Sequence, residues 1–246
     1  MNRKILSRLA AGLLALLLLA VLLLVANAFV GNPLTARAAR NRGREYLEER
    51  YGDLDLEIKG VTYNPKDSSY IISVLSGTSR DTHFSLRYRE GKIYADDYEI
   101  AVLSGWNTME RLCDEYRERL TALLQAEMGA VADIAVMPEK RSSYGLALDA
   151  PFDRGLVWDV GISFRFNGGN DAAYLAEALK RAFSLMTEKG YGAAWFRVTG
   201  EAEGALTELG NISAAQVKRG DLEEILRRAI ADGEYDGIIA FGKGLK

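Results

Sequence analysis

An uninterrupted apolar segment near the N-terminus constrains the fold of this chain more than any other feature. From Leu9 to Val30 the sequence carries no charged side chain over 22 residues. At about 1.5 Å per residue, a helix of this length would extend about 33 Å, enough to span a hydrocarbon core of about 30 Å. We therefore predict a transmembrane anchor within residues 1–30, preceded by a short cytoplasmic tail, with the lipid bilayer as its partner through residues 9–30.

The apolar segment leaves cleavage and orientation open. Ala26-Asn27-Ala28 has the small-x-small form of a signal-peptidase site. The run is longer than the roughly 7 to 15 residues of a cleaved signal, which favours an uncleaved anchor. Basic residues flank it on both sides, so the orientation rests on the tendency of long domains to translocate largely regardless of charge. The prediction is a single-pass protein of the cell membrane whose C-terminal domains are extracytoplasmic.

Composition excludes two classes of protein. Of 31 basic residues, three precede residue 31, so the rest of the chain carries 28 against 34 acidic residues, a net charge near −6. A dedicated nucleic-acid binder normally shows a basic face, so no nucleic-acid partner is expected. The chain has one cysteine, Cys113, which excludes a scaffold held by internal disulfides.

The pattern after the apolar run predicts a first α+β domain over residues 31–105. Gly31-Asn32-Pro33 ends the first helix, and a second helix is predicted from Leu34 to Tyr51. Alternating apolar residues then predict four strands, at 56–64, 70–76, 83–89 and 93–102. In the third of these strands, Phe84, Leu86 and Tyr88 would share the core face. One helix packed on an antiparallel sheet is an outline shared with PepSY-like and cystatin-like modules.

A connecting helix is predicted over residues 106–129. Asn107 is its expected N-cap, Glu110 occupies the capping-box position, and Gly129 ends it. Cys113 falls on the apolar stripe of this helix, which predicts a buried core residue rather than a reactive thiol.

Residues 130–246 predict a second α+β domain. Its expected elements are strands at 131–137, 156–166, 193–200 and 237–244 and helices at 170–190 and 221–233. Strand 156–166 alternates so regularly that we expect a half-buried antiparallel strand. We interpret Gly168-Gly169, with Asn170 as the helix cap, as a strand-to-helix turn. A phosphate-binding loop is less favoured because the glycine motifs of such loops are absent there. The predicted fold class is thus α+β, an N-terminal transmembrane helix followed by two small α+β domains.

The candidate chemistry lies mainly between residues 81 and 99. His83 is the only histidine of the chain, with Asp81 before it and the carboxylates Asp96, Asp97 and Glu99 after it. Zinc sites usually recruit several His or Cys ligands, and the acidic group lacks the spacing of a calcium loop. Cross-strand pairs with Arg87 or Arg89 explain the acids more simply. No catalytic, cofactor-binding or metal-binding residue is therefore assigned.

Several segments resemble the YfjL-like proteins of Gram-positive bacteria. They are the apolar run with Gly31-Asn32-Pro33, YLEERYGDLDL (46–56), DTHFSLRY (81–88) with DDYE (96–99), and NTMERLCDEY (107–116). The resemblance covers roughly residues 30–125. It implies an anchored, extracytoplasmic α+β domain followed by a second domain, and it supplies no catalytic residue.

These observations favour a non-enzymatic interaction or regulatory protein whose partner is an envelope protein. One alternative is an inhibitor or chaperone of a cell-envelope peptidase, which follows from the outline of the first domain. The other is a carboxylate-based hydrolase that uses Asp96, Asp97 or Glu99.

Overall fold

The chain forms two compact units, Met1–Ser104 and Gly105–Lys246, each with a sheet of its own. The computed structural model describes residues 3–138, 145–154 and 160–241, with the backbone alone for residues 3–10 and 23–28. The beginning of the strand predicted over 156–166 and the end of the one predicted over 237–244 lie outside the described residues.

The N-terminal helix α1 extends from Arg3 to Val30. Within the described part of the chain, no helix is both long enough and apolar enough to cross a membrane. This corrects the predicted fold class, in which residues 9–30 formed a transmembrane helix.

The predicted break after α1 is present and is fixed to the first sheet. Gly31 has φ +78°, and a Cβ there would lie 2.6 Å from the Tyr63 ring, so glycine suits both the backbone and the space. The Asn32 side chain accepts from the Leu34 N–H at 2.8 Å and caps helix α2, Pro33–Tyr51. The hydroxyl of Tyr70 also donates to the Asn32 carbonyl at 3.1 Å.

The first sheet has four antiparallel strands in sequence order: β1 (Leu56–Asn64), β2 (Ser69–Ser76), β3 (His83–Arg89) and β4 (Lys92–Asp96). Its core joins the inward residues of β2 and β3 to Ala39 and Leu47 of α2. Gly43 lets the helix approach closely, since a Cβ there would lie 3.0 Å from Ile72. The predicted alternation of Phe84, Leu86 and Tyr88 into this core is confirmed.

The fourth predicted strand is too long. It ends at Asp96, and a π-helical turn follows from Glu99 to Leu103. The Asp96 carboxylate accepts from the Tyr98 N–H at 2.8 Å, a local side-chain bond that turns the backbone away from the sheet.

The second unit begins with helix α3, Trp106–Met128, and continues with nine further elements in the described residues. These are β5 (Val131–Pro138), β6 (Val160–Asn167), α4 (Ala172–Glu188), β7 (Trp195–Ala202), β8 (Ala205–Ser213), α5 (Ala214–Val217), α6 (Leu222–Asp232), β9 (Glu234–Tyr235) and β10 (Ile238–Phe241). The sheet order is β5-β6-β7-β8-β10-β9. Tyr116, Leu120 and Leu124 of α3 belong to the core of this unit, so the helix predicted as a connector packs within it.

The strand predicted as purely antiparallel is mixed. β6 pairs antiparallel with β5 but parallel with β7, because α4 carries the chain back across the sheet between them. The Gly168-Gly169 turn that starts this crossover is covered by the Tyr174 ring, against which a Cβ at Gly169 would collide.

Both predicted caps of the second unit's long helices are displaced. Gly105 in the left-handed conformation precedes α3, which places Asn107 inside the helix, where it is buried. Asp171 rather than Asn170 caps α4, accepting from the Tyr174 N–H at 2.8 Å. The amide of Asn170 instead donates to the Ala205 carbonyl at 3.4 Å.

Gly161 provides a test of packing in the second sheet. The ring of Trp195 on β7 occupies the space where a Cβ at Gly161 would stand. We expect Gly161→Ala to displace this ring and lower the free energy of unfolding by about 1–3 kcal/mol, as for overpacked sites. Urea unfolding followed by tryptophan fluorescence measures the change. Gly192→Ala is the control, since no atom lies within 4 Å of its added Cβ; equal midpoints for both variants would refute the account.

Candidate functional site

The carboxylate of Asp96 is the best-defined polar centre of the first unit. The last two turns of α2 present Tyr46, Arg50 and Tyr51 toward the end of β4, where Asp96 lies. The hydroxyls of Tyr46 and Tyr51 donate to Asp96 Oδ2 at 2.8 and 2.6 Å. Arg50 Nε lies 3.9 Å from the same oxygen. We call these four residues the Asp96 cluster.

Aromatic rings surround the Asp96 cluster and limit its contact with water. Tyr51 packs against Phe84 and Tyr98 at ring-centroid distances of 5.6 and 4.6 Å. The Asp96 side chain is 12% exposed. A carboxylate in such a position is stable only when hydrogen-bond donors compensate for lost hydration, and the two phenols and the Tyr98 N–H provide them.

The electrostatics of the cluster favour an anchoring role. Burial, followed by the hydrogen bond to Asp96, raises the pKa of Tyr46 and of Tyr51. Both phenols therefore remain protonated donors at neutral pH. A carboxylate that accepts from three donors holds the end of α2 to the sheet, whereas a general base must have an oxygen directed at a substrate proton.

The other predicted acids are not part of this cluster. The Asp97 N–H donates to the Ser85 carbonyl at 3.1 Å, and Glu99 is exposed at the start of the π-helical turn. Arg87 and Arg89 lie opposite Ala95 and Lys92 in the sheet. The register therefore places neither arginine directly across from one of the acids. The residues that contact Asp96 could have been found from the sequence, because Tyr46, Arg50 and Tyr51 are spaced to lie on one side of α2.

His83 and Cys113 occupy different units. His83 is exposed at the start of β3, opposite Leu75. Cys113 is buried beside Met109 and Leu112, as predicted, and burial raises its thiol pKa to about 12. A thiol with this pKa is a poor nucleophile at neutral pH. Over residues 3–138, 145–154 and 160–241, no group of three or more His, Cys, Asp or Glu side chains is placed to hold a metal ion.

A second candidate is the face of the six-stranded sheet opposite the helices. The helices cover the face that carries Phe164, Phe196 and Leu209. The opposite face, here named the open sheet face, carries in the described part of the sheet Gly161, Arg165, Trp195, Arg197, Glu201, Glu208, Gly210 and Phe241. Sequence reasoning missed this surface because its residues alternate with the core residues of the same strands.

The open sheet face combines aromatic rings with ion pairs. Arg165 pairs with Glu201 and Arg197 with Glu208, each at 3.4 Å. The guanidinium of Arg197 lies 5.2 Å from the centroid of the Phe241 ring. The side chain of Arg165 is 47% exposed and Phe241 is 41% exposed, so both remain accessible to a partner.

Comparison with known proteins confirms the YfjL-like resemblance. Residues 6–97 match the model of the YfjL-like N-terminal domain, a range that contains the whole Asp96 cluster. The chain is 23% identical to the uncharacterized protein YfjL of Bacillus subtilis (strain 168) over 198 residues, 76% of this chain and 81% of that protein. A solved structure of a DUF5037 family protein from Ruminococcus gnavus ATCC 29149 has 12% identity and a TM-score of 0.22, covering 77% of this chain and 80% of that one. This TM-score is too low to support any argument about fold.

Asp96 and its sequence neighbour Asp97 form a matched pair for testing the anchoring role. We expect Asp96→Asn to destabilise the first unit by about 1–3 kcal/mol, because an amide leaves some of the buried donors without an acceptor. Asp97→Asn should change stability by less than about 0.5 kcal/mol. Native-state hydrogen exchange over β3 and β4 measures the first unit directly. Equal protection in both variants, with loss of a hydrolytic activity in Asp96→Asn, would instead support the carboxylate-based hydrolase.

Proposed function

We propose that this YfjL-like protein is a non-enzymatic interaction module, associated with a membrane through α1, whose partner binds the open sheet face. The observation that carries the interaction role is this face, which combines accessible aromatic and arginine side chains. The Asp96 cluster supports it indirectly, since its carboxylate is engaged by donors of the protein itself.

The exposed leucines of α1 support membrane association. Leu13, Leu16 and Leu22 are 74, 67 and 66% exposed, and the apolar side chains surround the helix rather than form one stripe. Burying one such side chain contributes about 1.5–3 kcal/mol, so a cluster of them strongly favours an apolar environment. We also propose that both units are extracytoplasmic, which the signal-like N-terminus supports and which digestion of intact cells by an added protease would test.

Membrane association predicts that α1 determines binding to lipid vesicles. The full chain should float with phosphatidylcholine–phosphatidylglycerol vesicles, and Leu14→Glu with Leu18→Glu should reduce the bound fraction at least about tenfold, because two apolar contacts are replaced by charges. The control places glutamate at Leu148 and Leu206, which are exposed in the second unit. Equal flotation of the two double variants, or assembly of the wild type into soluble oligomers instead of flotation, would refute this association.

The residue types on the open sheet face match those of protein interfaces. Tryptophan, arginine and phenylalanine are enriched at interface centres, where they contribute large contact areas and directed hydrogen bonds. Two small residues, Gly161 and Gly210, let the Trp195 and Phe241 rings lie close to the sheet backbone. The rings are thereby held in place before any partner binds, which lowers the entropy cost of association.

Binding of a partner to the open sheet face should weaken when exposed residues of that face are substituted. We expect Arg165→Glu with Phe241→Ser to lower the recovery of a crosslinked envelope protein at least about tenfold, consistent with the loss of interface anchors. Arg117→Glu on α3 is the control, since Arg117 is similarly exposed and paired. Recovery that is equal in the two variants would contradict the proposal. A recovered peptidase that the purified protein slows would identify the inhibitor alternative.

A further inference from the structure

A cationic pocket of about 310 Å³ lies in the second unit, formed by α3, segment 145–154 and the turn that follows α4. Its lining consists of three cations and three less polar residues: Arg119, Arg154, Lys189, Ala122, Leu123 and Tyr191. This volume lies at the lower end of the roughly 300–1,000 Å³ typical of small-molecule sites. The pocket therefore suits a ligand of a few ring or chain atoms.

The aromatic base of the pocket is held rigidly. Tyr191 is 6% exposed, and its ring packs edge-to-face against Tyr116 at a centroid distance of 5.0 Å. The Tyr116 hydroxyl donates to the Gly192 carbonyl at 2.8 Å, and the Tyr191 N–H donates to the Met186 carbonyl at the same distance. The turn after α4 is thus fixed on both sides of Tyr191.

Both guanidinium groups of the pocket rest on aromatic rings. The guanidinium of Arg154 lies 5.3 Å from the centroid of Tyr191, and that of Arg119 lies 4.4 Å from the centroid of Phe152. Stacking restricts these long side chains while leaving their planar N–H groups able to donate, the arrangement that suits a carboxylate or phosphate. A bound anion would therefore meet donors that are already partly ordered.

Carboxylates offset part of the positive charge of the pocket, and one of them, Glu127, acts electrostatically on Lys189. Arg154 forms no ion pair with any residue in the described ranges 3–138, 145–154 and 160–241. Glu115 is 2.6 Å from Arg111 but 3.9 Å from Arg119, so its closer partner lies outside the pocket lining. Lys189 contacts Glu188 at 2.8 Å. Three cations around one small volume repel each other, and an anion placed between them would relieve that repulsion.

We propose that this pocket binds a small organic anion, a carboxylate or phosphate monoester whose apolar part lies against Ala122 and Leu123. The charged group would lie between Arg119, Arg154 and Lys189. Apolar atoms line the rest of the pocket, so a ligand with a ring or chain gains contacts that an inorganic anion lacks.

Calorimetric titration of the full chain tests the proposal with benzoate, phenyl phosphate and inorganic phosphate as probes. We expect saturable binding of at least one aromatic anion, tighter than that of inorganic phosphate. Arg154→Gln should weaken this binding about tenfold, since it removes one charge-assisted contact. Arg117→Gln, on the same helix as Arg119 but outside the pocket lining, should leave the affinity unchanged.

Three results would overturn the proposal: no saturable binding of either aromatic anion at millimolar concentration, equal binding of neutral benzyl alcohol, or equal weakening by Arg154→Gln and Arg117→Gln. The outcome is independent of the interaction proposed for the open sheet face. Arg165→Glu with Phe241→Ser leaves all six lining residues in place, so the two proposals can fail separately.

Discussion

The parallel pairing of β6 with β7 determines how the second unit is built. Two neighbouring parallel strands cannot be joined by a short hairpin, so the chain must cross the sheet, and here it does so through α4. The crossover places Leu175 and Leu179 over the buried faces of Phe164 and Phe196. The other helices of the unit pack in the same core, and on the opposite face Arg165 and Phe241 remain exposed. The open sheet face is therefore a consequence of this topology.

In the first unit, the feature that determines how helix and sheet are joined is the nearly buried carboxylate of Asp96. A carboxylate with little access to water loses hydration free energy, which only well-placed donors restore. Tyr46 and Tyr51 supply two of them from α2, so the helix and the end of β4 are connected by polar contacts as well as by the apolar core. The acids between residues 81 and 99 suggested a catalytic or metal-binding site because several of them lie close together in the sequence. In the structure, Asp96 differs from Asp97 and Glu99 in its role, because its carboxylate accepts hydrogen bonds from α2.

Sequence periodicity predicted the first sheet well and the second less well, for identifiable reasons. The strands of the first unit alternate and are joined in sequence order, so local pattern alone located β1, β2 and β3. In the second unit, alternation located β6 but could not reveal its parallel pairing with β7, because the paired residues, such as Gly161 and Trp195, are 34 positions apart in the sequence. β8 was missed because Gly210 and Asn211 interrupt its pattern; Asn211 has φ +61° there. The cap assignments failed by one or two residues because residues that can cap a helix lie close together, as Asn170 and Asp171 do.

Average charge was the weakest guide to local sites. The chain after residue 30 is acidic overall, which argued against a broad basic surface but contained no information about where the cations lie in the folded chain. Arg119, Arg154 and Lys189 come from three separated segments, so no run in the sequence marks them. What brings them together is the packing of α3 against the turn after α4, with Tyr116 and Tyr191 in contact at its centre. A pocket of this kind arises from tertiary structure, and only the folded chain shows that its charges face one another.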